Sequence, residues 1–304
     1  MSATHERPVL GGAILVAAGA ALFACKALFA KAIYAQHVPF ELTTVMRSLL
    51  SIPLFWLLAL RREGWARIRS SPPAAAASAA VAGLLCYYVG TLADFYALMF
   101  VDASIERVLL FSFPAMVVLF TSLLERRAPS RGALLACALT YAGIFLVMGG
   151  FDPVRLRANL LGGGFVLIAA LFFAIYFMAA SRHTHDLGVM RFSLFAMSAA
   201  ALAMLIHGLA RHAFAGLAAL SVPAWGMLLF LAVGCLFLPV LLQAEGVRRI
   251  GAQRSAIVST VGPPTTILLG WIFLGERLTL AQIAGVLVIV GGVLTLDLKG
   301  SAGE

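Results

Sequence analysis

The chain has 304 residues, of which 62% are apolar and only 12% charged, about half the charge of an ordinary soluble domain. So little charge cannot cover an aqueous surface, and no stretch of the chain is free enough of apolar runs to form a separate soluble domain. The net charge of +9 sits in short clusters between apolar runs (Arg61, Arg62, Arg67, Arg69; Arg126, Arg127, Arg131; Arg248, Arg249, Arg254), the pattern of cytoplasmic membrane loops and not of a nucleic-acid surface.

A bilayer core about 30 Å thick needs roughly 20 apolar residues per helical crossing. Cut on that ruler, the chain predicts ten transmembrane helices at 9–33, 40–60, 74–98, 104–123, 131–149, 160–180, 190–210, 222–244, 253–274 and 280–298. The expected class is therefore an all-α integral membrane protein. The first run follows His5 to Arg7 and contains Leu22-Phe23-Ala24-Cys25, but nine further apolar runs follow it, so it is expected to be a membrane helix and not a cleaved leader. Breakers such as Pro39, Ser70 to Pro73, Ala128-Pro129-Ser130 and Gly149 to Pro153 make short connections, with Ser130 and Thr279 as helix N-caps. With the N-terminus inside, 14 of the 22 Lys and Arg fall on the inner side and six on the outer, leaving Lys26 and Arg47 within helices, so both termini are expected in the cytoplasm.

A faint internal repeat runs through this frame. A shift of 149 residues places Ala103 and Pro114 on Ala252 and Pro263, one of 151 places Glu125-Arg126 on Glu276-Arg277, and one of 150 brings Lys26 onto Tyr176. The halves are 1–150 and 151–304, and five helices in each make the topology of the repeat inverted, an architecture whose substrate sites lie between the halves.

Ionisable groups within apolar runs are costly and usually face a cavity or a partner. Lys26, some 17 residues into the first helix, either snorkels to the outer headgroups, pairs with a helix end or faces a cavity. Tyr87, Thr91 and Asp94 recur at helical spacing on the third helix, and Gln243 occupies the repeat-related position to Asp94. Phe173 and Tyr176 on the sixth helix mirror Phe23 and Lys26 on the first. Lys26, Tyr87, Thr91, Asp94, Phe173, Tyr176 and Gln243 are thus the expected lining of one cavity, with Lys26, Asp94 and Tyr176 contributing to binding and not to folding. Arg47 is an interface anchor or a substrate contact, and Pro114 and Pro263 are candidate hinges. Glu106-Arg107 is expected to be an outer-surface or helix-start ion pair, with a gating role as the alternative. His183, His185 and Asp186 fall in a loop and fit no metal motif, and Gly162-Gly163-Gly164 lacks the lysine of a phosphate loop. The four cysteines lie in apolar runs without metal or disulfide spacing, and no cofactor is expected.

Val45-Met46-Arg47-Ser48-Leu49, Phe95-Tyr96-Ala97-Leu98, Pro114, Gly262-Pro263 and Leu274-Gly275-Glu276-Arg277-Leu278 stand in an order and spacing that resembles the drug/metabolite transporter superfamily, specifically its ten-helix EamA-type exporters. The resemblance covers nearly the whole chain. It implies a basket of helices around a central cavity and alternating access. Among the members, the chain looks most like bacterial inner-membrane exporters of amino acids, aromatic ones included, with exporters of drugs or other metabolites as the alternative. It departs from the four-helix multidrug exporters of that superfamily, whose first helix carries a proton-binding glutamate where this chain has Lys26. A channel would share the helices, and a membrane enzyme would need a catalytic cluster that the scattered aspartates do not form. The expected partners are a small-molecule substrate and the lipid bilayer.

Overall fold

The computed structural model describes residues 3–124, 126, 131–250, 258–259 and 261–300, and all regular structure among them is helical. In a bilayer each backbone N–H and C=O must find its partner within the segment, which the helix alone provides without a closed barrel. α1 is Ala3–Tyr34 and α2 is Phe40–Arg62, started by the extended Pro39. A short α3, Gly64–Arg69, carries Arg67 and Arg69 into the next connection. α4 runs from Pro73–Gly83 through a π-helical stretch, Leu84–Gly90, into Thr91–Ala97. α5 (Ala103–Leu110) and α6 (Phe113–Leu124) follow end to end, broken at Phe111 and Ser112, just before Pro114. α7 is Arg131–Val147.

α8, Pro153–Ala210, is one helical run bent at Gly188 (φ 73°, ψ 156°), and Asp152 caps its start by accepting from Val154 N at 3.0 Å and Arg155 N at 3.2 Å. The loop expected at His183 to Asp186 is therefore helical; the chain holds no breaker there, and the turn waits for Gly188, whose missing Cβ admits a positive φ. α9 joins Val222–Ala232, a π-helical Val233–Phe237 and Leu238–Ile250, with Ser221 as N-cap. α10 is Gly262–Leu269 with a π-helical end, Gly270–Leu274, and α11 is Leu280–Gly300. Thr279 and Gln282 form a reciprocal capping box at the start of α11, as expected of Thr279, whereas Ser130 lies outside the described residues.

Seven helices among the described residues are long and apolar enough to cross a bilayer: Leu10–Tyr34, Phe40–Arg62, Pro73–Ala97, Ala103–Leu124, Pro153–Ala180, Asp186–Ala210 and Val222–Gln243. Cys137–Val147, Gly262–Leu274 and Leu280–Gly292 are shorter apolar helices. Leu202, Ile206, Trp271, Phe273 and Leu287 stand on the outer surface, an apolar exposure suited to lipid and not to water.

The two halves of the chain are interleaved. α1 packs on α9, α4 on α8 and α7 on α11, so the main helix pairs each join an early helix to a late one. At the α7–α11 contact the backbones themselves meet, because a Cβ on Gly143 would lie 2.7 Å from the Gly285 carbonyl oxygen and one on Gly285 2.8 Å from that of Gly143. Three apolar clusters fill the interior. One centres on Phe55, Phe192 and Leu194, a second on Leu109, Val166 and Ile289, and a third on Leu42, Phe95 and Leu228.

Candidate functional site

Lys26 points inward from α1 and is 2% exposed. Its ammonium pairs with the Asp94 carboxylate from α4 and, at 3.0 Å, with Glu106 Oε1 from α5. The rings of Phe23 and Phe95 lie 5.7 Å from the same nitrogen. The snorkelling alternative for Lys26 is thereby excluded: the side chain is held by two carboxylates deep between helices and does not reach toward headgroups. Breaking the α-helix at Phe111 and Ser112 gives α5 its own short, wholly buried segment, which carries Glu106 to this depth.

Glu106 and Arg107 depart most from expectation. Both are buried, Glu106 completely and Arg107 to 8% exposure, and they do not form a surface pair. Arg107 stacks on the Phe23 ring at 5.1 Å, in space left open by Gly262, where a Cβ would lie 2.6 Å from Nη2. The sequence did carry a signal for them. Both fall inside the apolar run 104–123, where an ionisable group needs a partner as much as Lys26 does.

Beside the triad lies a small cavity whose wall includes Phe23, Lys26, Arg47, Tyr87, Asp94 and Phe173, together with Thr91 and Ala169. Its free space holds about one or two water molecules. Tyr87 and Phe173 meet edge to face at 6.3 Å, and Phe23 meets Phe173 at the same distance. Thr91 turns its hydroxyl back on the Cys86 carbonyl at 3.4 Å, across the π-helical stretch of α4. Such stretches recur where a helix must re-aim a functional side chain, and this one sets the face that carries Tyr87, Thr91 and Asp94.

Two residues assigned to the lining from the sequence are placed elsewhere. Tyr176 packs behind Tyr87, with ring centroids 4.9 Å apart, and against Phe192 at 5.5 Å, within an apolar cluster. Gln243 lies against Gly19 in the α1–α9 contact and outside the lining of the cavity. Arg47, 3% exposed, does line the cavity, and its guanidinium carbon stands 5.3 Å above the Phe95 ring. Pro114 sits in the first turn of α6 and Pro263 in that of α10, each where a helix restarts.

A second polar centre lies toward the other end of α5. Glu276, just beyond α10, accepts from Ala103 N at 2.7 Å, Ser104 N at 3.0 Å and Ser104 Oγ at 2.6 Å, so a carboxylate from the late part of the chain caps a helix of the early part. Lys31 stands 3.8 Å from Glu276 and 3.6 Å from Asp102. No cluster of His, Cys, Asp and Glu suited to a metal occurs among the described residues.

The profile of the EamA-like transporter family matches residues 10–149 and again 160–296. The chain belongs to the EamA-like transporter family. An uncharacterised transporter, YcbK, of Bacillus subtilis (strain 168) is 33% identical over 96% of this chain and 96% of its own length. An uncharacterised transporter of Archaeoglobus fulgidus is 24% identical over 70% of this chain and 74% of its own. A solved crystal structure superposes with a TM-score of 0.62 at 18% identity, covering 96% of this chain and 98% of that one, which extends the likeness to the fold. The protein is an EamA-family transporter with multiple membrane-spanning helices, and the buried charges and the cavity belong to a transport protein of that kind.

Proposed function

We propose that the protein exports amino acids, aromatic or hydrophobic, by alternating access across a bacterial inner membrane with both termini in the cytoplasm. The observation that carries this reading is the central cavity, which combines opposite charges with aromatic rings in an apolar interior. A zwitterion needs one anionic and one cationic partner, and an aromatic or aliphatic side chain needs rings such as Phe23, Tyr87 and Phe173. A phosphate ester would call for several convergent free cations.

In this reading the shorter apolar helices also cross the bilayer, giving ten crossings in two inverted five-helix repeats. The two family matches support the duplication, as do the π-helical stretches that begin at Leu84 and Val233, 149 residues apart, the shift that also relates Pro114 to Pro263. The cavity is too small for an amino acid, so the conformation corresponds to a contracted state and loading requires helices to part. The restarts at Pro114 and Pro263 are the places where they bend. Under the proposed orientation the Glu276 cap and Lys31 lie on the outer side and hold it shut.

The test is uptake into proteoliposomes of the purified full-length protein across amino acids and related metabolites. Saturable flux of amino acids, with trans-stimulation, is the expected result. Saturable flux confined to other solutes refutes the substrate class, and conductance that rises without saturation refutes the transporter mechanism in favour of a channel.

A further inference from the structure

The buried charges around the cavity do not balance. Among the described residues, three cations (Lys26, Arg47 and Arg107) and two carboxylates (Asp94 and Glu106) are no more than 8% exposed there. Lys26 is taken up by both carboxylates at once. Arg107 adjoins Glu106 in sequence and is covered by Phe23. Arg47 forms no ion pair with a described residue and its Nε has no hydrogen-bond partner; its guanidinium stands over the Phe95 ring and shares the cavity wall with Cys86, Tyr87 and Asp94. A guanidinium stays charged at any physiological pH, so the cavity carries one surplus positive charge in an apolar interior. In Asp94, which lines the same cavity, Oδ1 is buried and without a hydrogen-bond partner, as is Glu106 Oε2 next to it in the triad.

Two unfilled groups of opposite sign, lining one small space, define what that space lacks. We propose that Arg47 is the residue that recognises the carboxylate of the substrate, with Asp94 Oδ1 receiving its ammonium. The inference rests on the amino-acid reading and reassigns the anion contact within it: the charge of Lys26, the candidate that composition and depth favour, is already shared between two carboxylates and is not left over for a third. The planar fork of Arg47 matches a carboxylate in a two-point contact, and stacking on Phe95 holds its plane. A zwitterion meets Arg47 and Asp94 pairwise, whereas a phosphate brings no ammonium for Asp94 Oδ1. Lys26 then serves as the positioning residue that fixes Asp94.

The experiment compares matched solutes on the full-length protein in proteoliposomes: an amino acid, its amide, and its N-acetyl derivative, each as a competitor of uptake and as a substrate. The wild type is expected to prefer the free acid to the amide at least tenfold, and Arg47→Gln to erase that preference while its melting temperature stays near that of the wild type. Arg47→Lys, which keeps the charge and loses the fork, should retain part of the preference and serves if Arg47→Gln does not accumulate. Equal handling of acid and amide by the wild type, or an undiminished preference in the variants, overturns the assignment of Arg47 and leaves the amino-acid reading in place. Failure of every free acid to compete, alongside flux of other solutes, overturns both.

Discussion

Replacing Lys26 by Met tests whether the triad is structural. The ammonium is shared by Asp94 and Glu106, and neither carboxylate has another ion-pair partner among the described residues. Removing one partner of a buried ion pair costs about 3–5 kcal/mol, because the charge left behind is neither solvated nor compensated. In a chain of this size 1 kcal/mol corresponds to roughly 2 °C of melting temperature, so Lys26→Met should melt about 6–10 °C below the wild type. The sequence alone suggested the reverse, a variant that folds normally and loses only binding. The measurement is thermal unfolding in detergent by intrinsic fluorescence or size-exclusion recovery. A double-mutant comparison separates charge from packing: Lys26→Met with Glu106→Gln leaves one buried anion instead of two and should melt above Lys26→Met alone. If Lys26→Met melts within about 2 °C of the wild type and transports at the same rate, the triad does not support the fold and the electrostatic reasoning fails.

Other expectations follow from separate parts of the molecule. Glu276→Gln keeps the shape but weakens the charged cap on α5; it should lower the melting temperature by about 2–4 °C, from the loss of roughly 1–2 kcal/mol of charge-assisted hydrogen bonding, and unfolding in detergent measures it directly. Gly143→Ala meets the backbone of α11 and should reduce accumulation in the membrane severalfold on immunoblot, whereas Gly164→Ala, with nothing within 4 Å of the new methyl, should leave it unchanged. In a background with the four native cysteines replaced, cysteines at Arg67 and Arg131 should react with an impermeant thiol reagent from the cytoplasmic side alone, and those at Asp152 and Ala213 from the outer side; the opposite labelling would reverse the proposed orientation. Tyr176→Phe should keep uptake within about threefold of the wild type, since its ring lies behind Tyr87, and a tenfold loss would return Tyr176 to the lining.

Much of the fold was legible because bilayer thickness imposes a fixed ruler on the chain, and apolar length is a property of sequence alone. The helix restarts at Pro114 and Pro263 were equally readable, since a missing N–H and a ring clash are local. The faces of the helices were readable in part. Tyr87, Thr91 and Asp94 share a wall as helical spacing suggested, although a π-helical stretch runs through Tyr87, and Gln243 does not join them. A repeat-related position fixes depth along a helix, and the packing of that helix decides which face meets the cavity. Charge pairing was the least legible. Lys26 and Asp94 stand 68 residues apart, and Lys26 and Glu106 stand 80 apart. Nothing in the spacing singles out Glu106 as the second partner or leaves Arg47 without one.

The contact of α7 with α11 through Gly143 and Gly285 limits how such a molecule can move. Where two glycines bring backbones this close, flanked by Ile289 and Leu146, sliding one helix past the other drives each carbonyl into a bulky residue, whereas a small rotation about the point of contact disturbs little. Within the proposed alternating access the pair acts as a bearing, letting an early and a late helix tilt against each other while leaving no passage at its own position. The cavity lies instead where α1, α4 and α8 converge, so a cross-link that locks α7 to α11 should leave uptake intact.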